Sequence, residues 1–332
     1  MSPAVAKTRS GEPHSPVVDE RATVVAVRQV ARDIHEVALR SPRIAAAARP
    51  GQFVDVLLPS PDFAYRVLES GEADWSPAPR PVLLRRPFSV YRTNVAGRPG
   101  ELDLLVKTVG EGTRQLVALS PGSEVKLLGP LGNGFRLPPP GAVAILVAGG
   151  CGWASLGLLA RELRRREQPT YAFVGAEREE GLPFETSESR RPEPWLEGLP
   201  RACLTSAELE SLGVPVALAA ERGGRVYGGV VTDLLGRFLD ARQGADIHVL
   251  ACGPRPMLAT VAALAREHDL PCQVALEERM ACGIGVCNGC VVEVVLADGS
   301  LGTKRLCVDG PVLDAREVNW AGLGYPAPPA PS

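Results

Sequence analysis

The sequence has few aromatic residues, almost no net charge and no long apolar run, and each shortage excludes a class of protein. Of its 332 residues 5% are aromatic, and the formal net charge is −2 at pH 7, whereas nucleic-acid-binding chains usually carry a basic excess. No apolar run approaches the roughly 18 residues of a membrane span. Residues 1–20 are polar and lack the apolar core of a signal peptide. We therefore expect a cytoplasmic protein that binds no nucleic acid and spans no membrane.

Half of the eight cysteines stand close together near the C-terminus. Cys282, Cys287 and Cys290 form a C-x4-C-x2-C pattern, and Cys307 follows after sixteen residues. This is the plant-type spacing of a [2Fe–2S] cluster held by four thiolates. The three glycines within the pattern let backbone N–H groups turn toward the sulfurs. The pattern therefore predicts that these four cysteines bind an iron–sulfur cluster.

Two other uses of these cysteines fit less well. A structural zinc site usually has two C-x2–4-C pairs, and this segment has one C-x2-C pair and a distant fourth cysteine. Disulfides are disfavoured in a chain without a sign of secretion. The remaining cysteines are scattered, and we expect each to be a small buried apolar residue: Cys151, Cys203, Cys252 and Cys272.

The first half of the chain alternates between apolar and polar residues in short segments separated by Gly and Pro, as half-buried antiparallel strands do. This pattern predicts a small closed β-barrel over 21–138. Residues 112–119 have the pattern of one helix. The flanking residues 1–20, and 321–332 at the other end, are rich in Pro and polar residues and are expected to be disordered tails. The predicted strands are 21–29, 34–39, 52–58, 88–92, 102–109 and 124–128.

From residue 141 onward strands alternate with helices, which predicts an α/β domain with a parallel sheet over 141–272. The predicted helices are 155–166, 230–239 and 256–268. Two glycine-containing turns, Gly149–Gly152 and Cys252–Pro254, each follow a strand and precede a helix. Ligands bind outside the carboxyl ends of such strands, and a helix N-terminus suits a phosphate. One such turn can equally be a tight connection, but two at the same edge favour a nucleotide site. A cysteine-rich module is expected over 273–320.

At these residues the chain resembles the electron-transfer subunits of NAD-dependent dihydroorotate dehydrogenase (the PyrK family), within the ferredoxin–NADP reductase superfamily. The resemblance covers roughly residues 21–315 and is most specific at Glu277–Val292 with Cys307–Val312. The other matching segments are Arg86–Tyr91, Gly110–Thr113, Gly129–Phe135, Val147–Gly150 and Ala251–Pro254. The implied architecture is an FAD-binding β-barrel, an NAD-binding α/β domain and a [2Fe–2S] module.

The resemblance assigns roles that these residue types can perform. The planar guanidinium of Arg86 suits the FAD pyrophosphate, and Ser89 would lie near the flavin nitrogen that receives a hydride. The implied FAD contacts are Arg86, Pro87, Phe88, Ser89, Leu105, Val106, Lys107, Gly112 and Thr113. The implied NAD contacts are Gly149, Gly150, Gly152, Cys252, Gly253 and Pro254. The implied cluster ligands are Cys282, Cys287, Cys290 and Cys307.

The sequence departs from the family pattern at three places. Residues 60–85 form an insertion before the flavin motif, which we expect to be an exposed loop. Trp153 and Ser155 stand where the family usually has a smaller residue and a proline, and the larger Trp153 puts the family's usual dinucleotide pose in question. Carboxylates at 177, 179 and 180 would suit a ribose hydroxyl and repel a 2′-phosphate, although a solvated charge run is an equal interpretation.

The resemblance implies an oxidoreductase component in pyrimidine (UMP) biosynthesis. Electrons would pass from a dihydroorotate-oxidising FMN subunit through the [2Fe–2S] cluster and FAD to NAD+, in a heterotetramer of two plus two subunits. A related flavin and iron–sulfur reductase subunit, of the sulfide dehydrogenase or ferredoxin–NADP oxidoreductase type, is the alternative. A zinc-stabilised binding protein is a third possibility from another class.

Overall fold

The first folded unit is a closed antiparallel β-barrel, as predicted. The structure, a computed structural model, describes residues 16–58, 84–188, 204–242 and 244–325. The six barrel strands are hydrogen-bonded in the order β1-β2-β5-β4-β3-β6. They are β1 (Val18–Ala31), β2 (Ile34–Arg40), β3 (Phe53–Leu57), β4 (Arg86–Thr93), β5 (Glu101–Lys107) and β6 (Glu124–Leu131), with helices α1 (Pro42–Ala47) and α2 (Glu111–Val117) between them. Because β1 begins at Val18, residues 18–20 belong to the barrel and not to a disordered tail.

The second unit is an α/β domain around a seven-stranded sheet. Its strands are β7 (Val143–Gly149), β8 (Thr170–Ala176), β11 (Val216–Ala220), β12 (Tyr227–Gly228), β13 (Ile247–Cys252), β14 (Cys272–Ala275) and β17 (Val312–Asp314). They lie in the order β12-β11-β8-β7-β13-β14-β17. All neighbours are parallel except β14 and β17. The connections include α3 (Trp153–Arg165), β9 (Thr186–Glu188), β10 (Leu204–Ser206), α4 (Ala207–Ser211), α5 (Val231–Asp240) and α6 (Arg255–Glu267).

The third unit is a small cysteine-rich module that packs directly on the α/β domain. It consists of the loop 277–290 and the hairpin of β15 (Val291–Val295) with β16 (Leu301–Arg305). Cys290, Cys307 and Trp320 belong to the same buried apolar cluster as Phe173 and Val249 of the sheet. Each fully buried large apolar side chain of such a cluster contributes about 1.5–3 kcal/mol to folding. The module is therefore continuous with the core of the domain before it.

The domain boundaries expected near the C-terminus differ from those observed. Strand β14 begins at Cys272, so the sheet of the α/β domain extends past the predicted boundary at 272/273, and β17 joins it from beyond the last cysteine. The expected tail from 321 is also wrong over its first part, because the Tyr325 N–H donates to the Trp320 carbonyl over 2.9 Å. Leu323 and Tyr325 pack against the core. Residues 326–332, like residues 1–15, lie outside the described part of the chain.

The barrel and the α/β domain meet where α3 lies against β4. Tyr91 of β4 is buried in one cluster with Leu156 and Leu159 of α3. Gly157 allows this approach, because a Cβ at this position would overlap the Tyr91 ring. This contact places the outer face of the barrel beside the carboxyl edge of the parallel sheet.

Candidate active site and cysteine centre

A cavity of about 830 Å³ lies between the barrel and the carboxyl ends of the parallel strands. Its wall includes Ile34 and Lys107 from the barrel and Glu277 from the start of the cysteine module. Six of the predicted cofactor-binding residues line it: Lys107, Gly149, Gly150, Gly152, Gly253 and Pro254. A cleft at this edge of an α/β sheet is where such folds bind nucleotides. The structure thus brings the two predicted glycine turns to one site.

The two glycine turns pack against each other without room for side chains. A Cβ on Gly149 would meet Pro254, and one on Gly152 would overlap the Cys252 carbonyl. Gly253, at a φ of +159°, faces Gly149 in the same way. The chain then enters α3 through the turn Gly150–Gly152, with no side chain capping the helix. Its free N–H groups and partial positive charge face a position suited to an anionic group.

The predicted flavin strand is joined to α3 by a chain of small polar groups. The hydroxyl oxygens of Ser89 and Ser155 lie 2.8 Å apart. The Cys252 thiol donates to the Ser155 hydroxyl over 3.4 Å, so that the barrel, α3 and the second glycine turn are connected. Burial raises the pKa of the Cys252 thiol, with the Glu277 carboxylate as the next cause. The thiol is therefore neutral and can donate.

Three other predicted flavin residues are held in place by local hydrogen bonds or by burial. The guanidinium of Arg86 donates to the carbonyls of Leu84 and Arg85 over 3.1 and 3.2 Å. The Thr113 hydroxyl, in the first turn of α2, accepts from the Gly110 N–H over 3.1 Å and donates to the Gly110 carbonyl. Val106 is fully buried inside the barrel, so its backbone alone can reach a cofactor. None of the three lines the cavity described above.

The other members of the predicted flavin set lie near these three. Pro87 and Phe88 are half-buried on β4 beside Arg86, and Gly112 is buried in α2. Leu105 is buried on the barrel's outer face, where its carbonyl accepts from the Cys151 thiol over 3.5 Å.

Cys151 and Glu277 were not among the predicted site residues, yet both line the cavity. Burial raises the pKa of the Cys151 thiol to about 12, with the Glu277 carboxylate as the next cause. Burial also raises the pKa of Glu277 itself. A lone cysteine in a glycine turn carries no sequence signal that separates it from a core cysteine. Cys252 and Cys272 are buried, as expected, and Cys203 lies outside the described residues.

The four cysteines of the C-terminal pattern are gathered by a loop with left-handed turns. Gly283, Gly285 and Asn288 have φ of +68°, +80° and +53°. No side chain fits at Gly283, where a Cβ would overlap the Asp55 carboxylate of the barrel. From the hairpin side, Arg305 donates to the Gly285 carbonyl over 3.0 Å.

Backbone N–H groups point at three of the four sulfurs. The N–H groups of Gly285, Cys287 and Gly289 donate to the sulfurs of Cys307, Cys282 and Cys287 over 3.1, 3.4 and 3.4 Å. The hydrogen bond from the Cys287 N–H is the main cause that lowers the pKa of Cys282 to about 6, whereas burial raises that of Cys307 to about 12. Donors of this kind stabilise thiolates that share a cluster. Nowhere in the described part of the chain do Cys, His, Asp or Glu side chains form a group arranged for a single metal ion.

Comparisons with known proteins agree on this module and on the chain as a whole. A family model described as "Iron-sulfur cluster binding domain of dihydroorotate dehydrogenase B" matches residues 277–319. The dihydroorotate dehydrogenase B (NAD(+)) electron transfer subunit of Desulforamulus reducens is 33% identical over 300 residues, covering 90% of this chain and 97% of its own. The corresponding subunit of Geobacillus thermodenitrificans is 33% identical over 302 residues, covering 90% and 98%. The chain belongs to this family.

Solved structures place this family member in the ferredoxin reductase fold. The NADH-dependent reduced ferredoxin-NADP oxidoreductase superposes with a TM-score of 0.67 at 26% identity, covering 91% of both chains. Phthalate dioxygenase reductase, at 18% identity, has a TM-score of 0.50 and covers 87% of this chain and 94% of its own. The predicted multidomain architecture, with its flavin-type barrel, nucleotide domain and iron–sulfur module, is thus confirmed for this electron transfer subunit.

Two departures from the family pattern have a different outcome from the one expected. Trp153 does not line the cavity. It is the first residue of α3 and is fully buried, with its ring edge-on to Phe184 at 6.1 Å, so its side chain gives no reason to expect an altered dinucleotide pose. Ser155, expected as a departure only, supplies the hydroxyl that joins Ser89 to Cys252.

The carboxylates after β8 separate into different roles. Glu177 lines the cavity and forms an exposed ion pair with Arg222 at 3.2 Å. Glu179 pairs with Arg225 at 3.2 Å, and Glu180 contributes its carbonyl to the Arg32 N–H.

Residues 60–83 of the predicted insertion lie outside the described residues. The described helices include none long and apolar enough to cross a bilayer.

Proposed function

We propose that this electron transfer subunit carries electrons from a dihydroorotate-oxidising, FMN-bearing subunit through a [2Fe–2S] cluster and FAD to NAD+, in pyrimidine biosynthesis. One observation supports it above the others: a nucleotide cavity, a flavin-type barrel and a four-cysteine loop with inward N–H donors occur in one chain. The bound groups would supply the electron chemistry, since a flavin links two-electron hydride transfer with one-electron transfer to an iron–sulfur cluster. We expect the complex to reside in the cytoplasm.

The residues fit these groups chemically. Cys282, Cys287, Cys290 and Cys307 would hold the cluster, because their loop directs N–H donors to the sulfurs. The glycine turns at 149–152 and 252–254 would hold the NAD pyrophosphate and the nicotinamide, since both turns line the cavity and the first leads into the uncapped start of α3.

The FAD contacts proposed from the family pattern lie on β4, β5 and α2. Arg86 would bind the pyrophosphate, with Gly112 and Thr113 as helix-terminal donors. Ser89 would donate to the flavin ring, while Ser155 and Cys252 keep its hydroxyl oriented. Pro87, Phe88, Leu105, Val106 and Lys107 would shape the rest of the flavin site. The neutral thiols of Cys151 and Cys252 would add no negative charge beside the nicotinamide position.

The choice of NAD over NADP is proposed to depend on Glu177, which lines the cavity at the end of β8. A carboxylate at this position accepts from a ribose hydroxyl and repels a 2′-phosphate. Glu177→Gln should therefore lower the NADH to NADPH preference several-fold, measured as the ratio of dissociation constants. Glu180→Gln, an exposed carboxylate outside the cavity wall, is the control and should leave the ratio unchanged. An equal ratio in both variants would contradict this role.

The catalytic partner is proposed to dock over the cysteine loop. Cys287 is exposed, and its neighbours Ile284 and Val286 are 52% and 74% exposed. Exposed apolar side chains beside an electron-transfer centre favour a protein contact at that point. By resemblance, two such subunits would join two catalytic subunits.

Co-expression with the catalytic subunit of the same organism tests the proposal. Anaerobic purification should yield a complex that contains FAD, FMN, iron and sulfide and that oxidises dihydroorotate with NAD+. The electron transfer subunit alone should reduce its own FAD with NADH but leave dihydroorotate unreacted. A complex that forms with all cofactors but lacks NAD-dependent dihydroorotate oxidation would reject this function.

A ferredoxin–NADP oxidoreductase role is the second candidate, favoured by the structural match at a TM-score of 0.67. The same preparation distinguishes the two functions. Rapid NAD(P)H-dependent reduction of ferredoxin by the subunit, without activity toward dihydroorotate in the complex, would favour this alternative.

A further inference from the structure

Strand β4 carries a bulge directly after the predicted flavin residues. Val90 pairs with Leu104 and Arg92 pairs with Asp103, so Tyr91 is an extra residue in the strand. A bulge redirects side chains and is common beside active sites. Both Tyr91 and Arg92 reach Glu208 of α4, which lies in the nucleotide domain. The barrel strand thus sends two successive side chains across the domain boundary.

Arg92 is surrounded by carboxylates from three different elements. It contacts Glu36 of β2, Asp103 of β5 and Glu208 of α4, the last two at 3.0 and 3.7 Å. The Asp103 contact lacks the alignment of a hydrogen bond and is therefore electrostatic. The side chains of Arg92 and Asp103 are 12% and 0% exposed, so solvent screens these charges little.

Glu208 contacts residues of both the barrel and the nucleotide domain. One carboxylate oxygen contacts Arg92 and accepts from Arg161 of α3 at 2.9 Å, and the other accepts from the Tyr91 hydroxyl. One carboxylate therefore joins β4 of the barrel to α3 and α4 of the nucleotide domain. We call Arg92, Glu36, Asp103, Glu208 and Arg161 the Arg92 cluster.

The same two elements carry both halves of the proposed hydride-transfer site. Strand β4 holds Ser89 near the flavin position, and α3 begins at the glycine turn of the nucleotide position. Hydride transfer requires the reacting atoms at about 3–3.5 Å, and a displacement of about 1 Å can cost a factor of about 100 in rate. Any rotation of α3 against β4 would change that distance directly.

Stability alone does not account for such a cluster. Buried ion pairs often contribute little net stability, because desolvation offsets their attraction, and their clearest use is to select one arrangement. The apolar contact of Tyr91 with Gly157 leaves no room for a side chain at position 157, but apolar contact is not directional. The Glu208 carboxylate adds directional hydrogen bonds from the Tyr91 hydroxyl in the barrel and from Arg161 in the nucleotide domain.

We propose that Glu208, through Tyr91, Arg92 and Arg161, is a positioning residue that fixes the nucleotide domain on the flavin barrel at the orientation required for hydride transfer. This inference rests on the proposed function of the chain. Glu208 itself does not line the nucleotide cavity, so its effect on the reaction is transmitted by the domain interface.

Glu208→Ala in the full-length chain, loaded with FAD and cluster, tests the proposal. Stopped-flow reduction of the bound FAD by NADH should show a limiting rate constant at least about tenfold lower. The NADH dissociation constant and the FAD content should stay within about twofold of wild type, since no binding residue has changed. Glu208→Gln, which retains an acceptor oxygen for Arg161, should show a smaller decrease in this limiting rate constant. Glu210→Gln, exposed on the same helix, should behave as wild type.

Hydrogen–deuterium exchange of the FAD-free chain gives a second measurement that does not depend on activity. Peptides covering β4 and α3 should exchange faster in Glu208→Ala, while those covering β13 and α6 should not. An unchanged limiting rate, or a loss explained fully by weaker NADH or FAD binding, would overturn the proposal. If NADH fails to reduce the FAD of the wild-type chain, the proposed function is wrong. Unchanged hydrogen–deuterium exchange in β4 and α3 of Glu208→Ala would separately reject the positioning role of Glu208.

Discussion

Ser155 shows how a single residue changes the connection between domains. Its hydroxyl lies between Ser89 and the Cys252 thiol, where the family pattern led us to expect proline. Proline is tolerated in the first turn of a helix, but it could not make these contacts. The serine therefore replaces a rigid helix start with a hydrogen-bonded link between the flavin strand and the nucleotide turn.

Removal of one exposed cysteine should separate the two halves of the electron path. Cys287→Ala should abolish the iron–sulfur absorbance and electron exchange with the catalytic partner, because Cys287 is one of four proposed ligands. Reduction of FAD by NADH should be largely retained, since the cavity lies apart from Cys287. Absorbance spectra, iron analysis and stopped-flow kinetics measure these outcomes.

Cys272→Ala is the control, because Cys272 is a buried cysteine of β14 that does not belong to the four-cysteine pattern. It should keep its cluster and lose only some thermal stability. If Cys287→Ala also loses FAD, the cluster is a structural support for the whole chain and the separation is wrong.

Asp103 should make stability depend on pH. Burial is the main cause that raises its pKa from 3.8 to about 6, against the attraction of Arg92. The folded chain therefore binds this proton more tightly than the unfolded chain. The stabilisation of the folded chain by this proton is fully present below pH 3.8 and is lost as pH rises through about 6.

Wild type should therefore lose stability relative to Asp103→Asn, by about 3 kcal/mol in total, as pH rises from about 4 to about 8. Urea unfolding of both proteins across this range measures the difference. A constant or rising difference would contradict the raised pKa. Glu124→Gln, an exposed carboxylate on β6, should show no such trend.

At the scale of elements, periodicity predicts most of the fold and little of the interfaces. The helices at 155–166, 230–239 and 256–268 were expected from their apolar spacing, and α3, α5 and α6 begin and end within two residues of them. The short elements β9, β10, β12 and α4 were not predicted, since two to five residues carry too little periodicity. Glu208 lies in one of these, so the Arg92 cluster could not be found from the sequence.

Substitution of glycine by alanine should change the stability in opposite directions in helices α3 and α5. In an open helix interior, alanine is favoured over glycine by about 1 kcal/mol. Gly236→Ala should gain part of this, because its Cβ would make an ordinary 3.6 Å contact with Leu264. Gly157→Ala should instead destabilise by about 1–3 kcal/mol, because its Cβ would overlap Tyr91. The melting temperatures of the two variants, compared with wild type, test the direction of each change. A Gly157→Ala variant as stable as wild type would mean that α3 can move away from β4.

At the scale of the whole molecule, charge is almost balanced, so docking of the partner should depend on local apolar contact. Val286→Lys should weaken binding of the catalytic subunit by about tenfold or more, because a charge would be buried at the contact. Reduction of FAD by NADH should be unaffected. Isothermal titration calorimetry and NADH kinetics measure the two effects.

Leu301→Lys is the control for this prediction. Leu301 is 60% exposed, but it lies at the far end of the hairpin, four residue steps from Arg305, or roughly 13 Å at the rise of a strand. Equal losses of affinity in both variants would contradict a contact centred on the cysteine loop.

The strand that follows the last cysteine has a consequence for how this protein can be divided. Because β17 pairs with β14 as the outermost strand of the nucleotide sheet, a chain cut after Cys307 would leave β14 as a bare edge. Unprotected edges invite intermolecular pairing and aggregation. A gene fusion that transfers this iron–sulfur module must therefore carry it through Asp314 and provide a receiving strand, so the module is not an independent cassette.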